Sequence, residues 1–174
     1  MEMTVYEARL EALKKEHEGL IKKKNEIAGL GNGVMDRYKH PVVTGEHTPL
    51  FWRYDLNPET NPYLMERLGV NCVLNPGAME LDGRFYLMVR VEGIDRKSFF
   101  AVAESDTGVD NFKFWDHPVV MPETEVPDTN VYDMRLVKHE DGWIYGLFCT
   151  ERKDPSTPAD DTSSAVAQCG IART

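Results

Sequence analysis

The 174-residue chain is 41% apolar and 28% charged, with a formal net charge of −9. This composition suits one globular domain with a real core and excludes nucleic acid as a main partner, because a phosphate backbone needs a basic face. No apolar run nears the roughly 18 to 20 residues that span a membrane, so no membrane partner is expected.

In chain order, residues 4 to about 28 read as a helix. Thr4 followed by Glu7 fits a capping box. Tyr6, Leu10, Leu13, His17, Leu20, Lys24 and Ile27 fall on one stripe, and Gly29 with Gly31-Asn32-Gly33 stops it. The stripe would pack on its own domain or form a contact between copies, which makes a homo-oligomer an expectation. Residues 1–33 are therefore read as an N-terminal helix and turn. From residue 34 to residue 174 the texture changes to short strands and turns.

Two Asp-Gly pairs, Asp82-Gly83 and Asp141-Gly142, stand 59 residues apart, each between strand-like runs. Asp-Gly is a strong hairpin signal, because a type I′ turn needs positive φ at both central residues. Asp95-Arg96-Lys97 is echoed by Glu151-Arg152-Lys153, and Ala101-Val102-Ala103 by Ala165-Val166-Ala167, at similar offsets. Such repetition in short strands, with no helices between, is what β-propeller blades leave in a sequence. The stretch from Asp154 to Asp161 reads as a loop inserted in the second unit.

Polar residues cluster in three places. They are Arg53 to Asn57 with Asn61-Pro62, then Asn75 to Ala78 with Arg90 to Gly93 and Asp95 to Lys97, and finally Asn130 to Arg135 with Glu151 to Lys153. Asp133 sits between Tyr132 and Met134 at the start of a predicted strand, with Arg135 two residues on and on the same face. A carboxyl group flanked by bulky residues suits a general acid, and an Asp that caps a turn leaves the same pattern. Arg90, Arg96, Arg135, Arg152 and Arg173 would make an anion site if they converged, since guanidinium forks grip phosphate bidentately. Read singly, each is a strand-edge arginine. No Gly-rich phosphate loop, HExxH or Ser-His-Asp set is present. Cys72, Cys149 and Cys169 lack CxxC spacing, which argues against a disulfide framework or a zinc site and for a reducing compartment. The start of the chain carries no secretory pattern, so a cytoplasmic location is expected.

Taken together, Pro49 to Pro58, Asn75-Pro76-Gly77-Ala78, Arg90-Val91-Glu92-Gly93 with Asp95-Arg96, Asn130 to Arg135 and Ala165 to Thr174 resemble glycoside hydrolase family 130, in its mannosyl-glucose phosphorylase branch. The resemblance runs from about residue 34 to the last residue. It implies an all-β fold, a five-bladed propeller of which this chain holds about the first half. It also implies an inverting phosphorolysis of β-1,4-mannosyl-glucose to α-mannose 1-phosphate and glucose. Inorganic phosphate is then the co-substrate, and no cofactor or metal is needed. By similarity Asp133 is the general acid, acting through the mannose 3-hydroxyl. Arg152 matches a phosphate ligand and Arg173 a second one, while Arg53, Asp55, Asn75, Arg90 and Asp95 look like sugar-site residues. Family members are longer, and their sites draw on later blades. An inactive truncated fragment, serving as a sugar-binding or assembly piece, is therefore an alternative. A propeller glycoside hydrolase is another, with Glu92 or Glu151 as its second acid.

Overall fold

A computed structural model of the protein describes residues 3–29, 31–67, 69–161 and 163–174. Helix α1 (Val5–Ile21) begins at the expected capping box. The Glu7 N–H donates to Thr4 Oγ1 at 3.2 Å, and the Thr4 N–H donates to Glu7 Oε2 at 2.7 Å. Tyr6, Leu10, Leu13, His17 and Leu20 form its half-buried face. The Tyr6 hydroxyl donates to the Leu56 carbonyl at 2.7 Å, and His17 Nε2 lies 3.1 Å from the Thr48 carbonyl.

The helix ends short of the expected residue 28. The Asn25 side chain donates to the carbonyls of His40 and Val109, its backbone N–H donates to Asp110, and Ile27 bridges to Tyr38. These contacts with distant parts of the chain replace the last turns, and they leave Lys24 and Ile27 exposed. Strands also start later than residue 34. A 3-10 turn (Gly45–His47) and a short helix α2 (Leu50–Arg53) come first. Pro41, Pro49, Pro58 and Pro62 remove backbone donors here. Trp52 pins the segment by packing edge-on against Phe99 and Phe114.

Seven strands follow: β1 (Val70–Leu81), β2 (Arg84–Gly93), β3 (Ser98–Ser105), β4 (Lys113–Phe114), β5 (Asn130–Lys138), β6 (Ile144–Lys153) and β7 (Ala165–Arg173). They form two antiparallel sheets, β1-β2-β3-β4 and β5-β6-β7, and neither closes on itself among the described residues. The architecture is all-β with few helices. The repeated phrases agree only in part: Asp95 to Lys97 make the β2–β3 connection, whereas Glu151 to Lys153 end strand β6. Ala101 to Ala103 lie in β3 and Ala165 to Ala167 in β7, the third strand of each sheet. The insertion at Asp154 is the β6–β7 loop.

The first Asp-Gly turn has the expected form. Leu81 pairs with Arg84, and φ is +53° at Asp82 and +79° at Gly83. The second does not. Lys138 pairs with Ile144, and of its two turn residues only Gly142 has positive φ. The Asp141 carboxylate accepts the Trp143 N–H and the Tyr145 hydroxyl, and these bonds hold a wider loop than two residues allow.

The first sheet is covered on both faces, because β2 and β3 alternate between two cores. Leu87, Val89, Val91, Ala101 and Ala103 pack with Phe112 and Phe114 under Val42, Val43 and Trp52. Met88 and Phe100 face the second sheet, where they meet Met134, Leu136 and Phe148. Burial on both sides explains why Phe99 to Ala103 is continuously apolar. Phe100 is fully buried, and its ring lies edge-on to Phe148 at 5.7 Å. Phe100→Ala is expected to cost about 3–5 kcal/mol, read as a lower urea midpoint at unchanged slope. Val120→Ala, at a site 88% exposed, should stay within about 0.5 kcal/mol of the parent.

Candidate active site

The two sheets meet along their first strands, and both strands are broken by a bulge. In β1, Asn75 and Pro76 together oppose Val89, between the pairs Leu74–Arg90 and Gly77–Met88. In β5, Asp133 and Met134 together oppose Phe148, between Tyr132–Cys149 and Arg135–Leu147. Asn75 has φ +36° and Asp133 φ +60°. Left-handed backbone costs roughly 1–2 kcal/mol in a residue with a side chain, and Asn and Asp tolerate it best. Pro76 is accommodated because a bulge needs no donor there. The Asn75 to Ala78 run is therefore part of a strand and not the turn that its Asn-Pro-Gly composition suggests.

The bulges face each other. A Cβ on Gly77 would lie 2.6 Å from the Met134 carbonyl oxygen, so only glycine lets the two backbones approach this closely. Asn75 Nδ2 donates to Asp133 Oδ1 at 3.1 Å. Arg90, from β2, donates to the same oxygen at 3.3 Å. Oδ2 accepts no hydrogen bond among the described residues. The Asp133 side chain is 28% exposed.

Around Asp133 lies a ring of polar contacts. Arg90 also donates to Ser98 Oγ at 3.0 Å and Glu92 Oε2 at 3.0 Å, and its guanidinium covers the Tyr132 ring at 4.8 Å. Glu92 accepts from Asn71 and Arg96 through Oε1. The Tyr132 hydroxyl donates to Glu151 Oε1, and Asn130 Nδ2 to Glu151 Oε2. The Asn71 amide, with Arg96 and Arg90, holds the Glu92 carboxyl below the usual glutamate range. Burial pushes the Tyr132 phenol up, and the Glu151 carboxylate adds to the effect.

Of the residues singled out in the sequence, the fold brings together Asp133, Asn75 and Arg90. Arg135 does not pair with Asp133. The bulge breaks the two-residue period, and the Arg135 guanidinium donates to the carbonyls of Asn75 and Met134. Asp95 caps the β2–β3 turn by accepting the Lys97 N–H. Arg53 is gripped at both ends by Glu66, and Asp55 holds Asn57 and Thr60, so neither reaches the cluster through these contacts. Arg152 gives its Nε to Asp128 at 2.9 Å, and its terminal nitrogens make no hydrogen bond among the described residues. Arg173 lies at the other end of the second sheet, where it pairs with Tyr145 and stacks on Trp143 at 4.5 Å. Asn71 and Ser98 escaped the sequence reading, and Tyr132 entered it only as a bulky neighbour of Asp133. Ser98 and Tyr132 each stand beside a charged residue, Asn71 stands between Val70 and Cys72, and none of them is distinctive alone.

Comparison with known proteins adds a relative. No family model matches the chain. A curated 4-O-β-D-mannosyl-D-glucose phosphorylase of Bacteroides fragilis is 60% identical over 172 residues, which is 99% of this chain and 44% of that protein. The chain is a relative of this phosphorylase. It spans less than half of the relative's length. Among solved structures, a glycoside hydrolase candidate from Parabacteroides distasonis is 19% identical, with a TM-score of 0.50 over 90% of this chain and 41% of that one. This likeness is one of fold. A glycosyl hydrolase from Bacteroides ovatus is 16% identical, with a TM-score of 0.48 over 87% of this chain and 41% of its own.

Because the folded-state pKa of Glu92 is depressed, its contribution to stability is present above the unfolded value of about 4.3. That contribution is lost as pH falls through the lower folded value. Glu92→Gln should therefore be less stable than the parent at neutral pH, and the gap should close on acidification below about pH 4. Urea unfolding of both proteins across that range measures it.

Proposed function

We propose that this chain supplies the general acid and part of the phosphate site of an inverting phosphorylase. Its substrate would be β-1,4-mannosyl-glucose and its products α-mannose 1-phosphate and glucose, a hexosyl transfer to phosphate. The observation that carries the reading is Asp133, held on a left-handed bulge by Asn75 and Arg90 with Oδ2 unengaged. Kinship to the Bacteroides fragilis enzyme supports the choice of substrate. In this reading the two sheets are blades of a five-bladed propeller. Residues 34–174 supply the blades, and residues 1–33 precede them as helix and turn. Homo-oligomeric assembly and a cytoplasmic location belong to the same proposal. No helix among the described residues is long and apolar enough to cross a membrane.

The chemistry needs one carboxyl group. A phosphate oxygen attacks the anomeric carbon of mannose from the face opposite the glycosidic bond, and that bond breaks toward the glucose oxygen. The proton from Asp133 reaches this oxygen through the mannose 3-hydroxyl. An inverting hydrolase would use a second carboxylate to deprotonate water, whereas phosphate arrives already anionic and needs cations to aim it. Arg152 is suited to that task, because its two terminal nitrogens donate to no other group among the described residues. The hydrolase alternative fares worse, because all four carboxylate oxygens of Glu92 and Glu151 are occupied by donors.

Product analysis with mannosyl-glucose tests the reading. Mannose 1-phosphate should form only when phosphate is present, and Asp133→Asn should lower turnover by roughly 10²–10⁴-fold. Arg152→Ala should raise the KM for phosphate more than that for the disaccharide, while Arg173→Ala should stay near the parent. Free mannose formed without phosphate would point to a hydrolase. No turnover in a folded sample would make this chain an incomplete piece of the enzyme.

A further inference from the structure

The second sheet holds an arrangement that the phosphorylase reading does not use. Cys149 in β6 and Cys169 in β7 are direct cross-strand partners. Both are exposed, and both are free thiols. The pairing type follows from the end of the ladder. Ile144 and Thr174 exchange both backbone hydrogen bonds, N–H to carbonyl in each direction at 3.0 Å. Antiparallel strands alternate bonded and non-bonded pairs, and the register from Tyr145–Arg173 to Lys153–Ala165 is unbroken. Gly146–Ala172 and Phe148–Gly170 are therefore bonded pairs, and Cys149–Cys169 is a non-bonded one. Non-bonded partners have Cα atoms about 4.5 Å apart, with their side chains close on one face. That separation lies inside the window of about 4.4–6.8 Å that a disulfide spans.

The register cannot slip to separate the thiols. The Phe148 ring lies across Gly170, where a Cβ would meet the ring at 2.4 Å. A one-residue shift would put a side chain under that ring. Cys149 also pairs with Tyr132 on its other side, with Glu151 two residues on along the same face. The thiol pair thus borders the Tyr132–Glu151 contact described above.

We propose that Cys149 and Cys169 form a reversible cross-strand disulfide, a redox modification site at the margin of the Asp133 cluster. The oxidant is a hydroperoxide. One thiolate attacks the peroxide oxygen, the O–O bond breaks, and hydroxide leaves, giving a sulfenic acid. The second thiol then attacks that sulfur, forming the S–S bond and breaking S–O, with release of water. Overall two thiols lose two hydrogens, and one hydrogen peroxide becomes two waters. A dithiol reductant reverses the step by exchange. Exposed disulfides belong to the labile, regulatory class rather than the structural one, which fits a pair that the fold does not need.

The test uses the folded 174-residue chain treated with hydrogen peroxide, then alkylated and digested without reduction for mass spectrometry. Two of the three thiols should escape alkylation. A single linked peptide should join Cys149 to Cys169, Cys72 should stay alkylated, and dithiothreitol should restore all three. In Cys169→Ser no linked peptide should form, and Cys149 should accumulate sulfenic or sulfinic acid. The same treatment in concentrated urea removes the strand pairing and should scatter links among all three cysteines. Separate oxidation of Cys149 and Cys169 in the folded parent without a link would overturn the proposal, as would a link through Cys72.

Discussion

The approach of β1 to β5 at their bulges is the constraint on which the rest of the structure depends. Two strands from different sheets ordinarily pack through side chains, about 10 Å apart. Here Gly77 brings backbone against backbone, and the bulges turn Asn75 and Asp133 toward each other across the seam. The left-handed conformations at both residues cost energy. They persist because Phe100, Met134 and Phe148 lock the two sheets together behind them. Strain held by a packed core is the arrangement expected where a side chain must be aimed rather than merely accommodated.

Electrostatics follow from that geometry. Arg90 is shared among Asp133, Glu92 and Ser98, so it lies between two carboxylates and stacks on Tyr132. A guanidinium placed this way fixes the Asp133 carboxyl by one oxygen and leaves the other free. Removing either glutamate from the ring would alter Asp133 only indirectly, through Arg90 or through the Tyr132 ring. The supporting shell is drawn from both sheets, and it links the repeated units chemically as well as by packing.

The repeated units are not copies in detail. Both carry a bulge in the first strand and a hairpin after it, yet one bulge residue is Asn and the other Asp. One turn is tight and the other wide. Equivalent backbone positions have been given different chemistry: an amide that donates in the first sheet and a carboxyl that accepts in the second. The Cys149–Cys169 pair exists only in the second unit, because β2 and β3 pair nearly as extensively but carry no cysteine.

Much of this was legible in the sequence. The capping box, the Asp82-Gly83 turn, the two strand-rich units and the loop at Asp154 follow from local rules that act over a few residues. Asp133 and Arg90 were recognisable through the phrases around them. Other features were decided only by tertiary contacts. Helix α1 stops early because Asn25 finds partners at His40 and Val109, far along the chain. Asn75-Pro76-Gly77 reads as a turn, yet it becomes a bulge because β2 continues past it on one side and β5 presses on Gly77 from the other. Arg173 resembles a phosphate ligand in sequence, but strand register carries it to Trp143 at the opposite end of the sheet. Local rules specify turns and periods, whereas the partner of a given side chain depends on register and on the packing of one sheet against the other. Neither is encoded within a single strand.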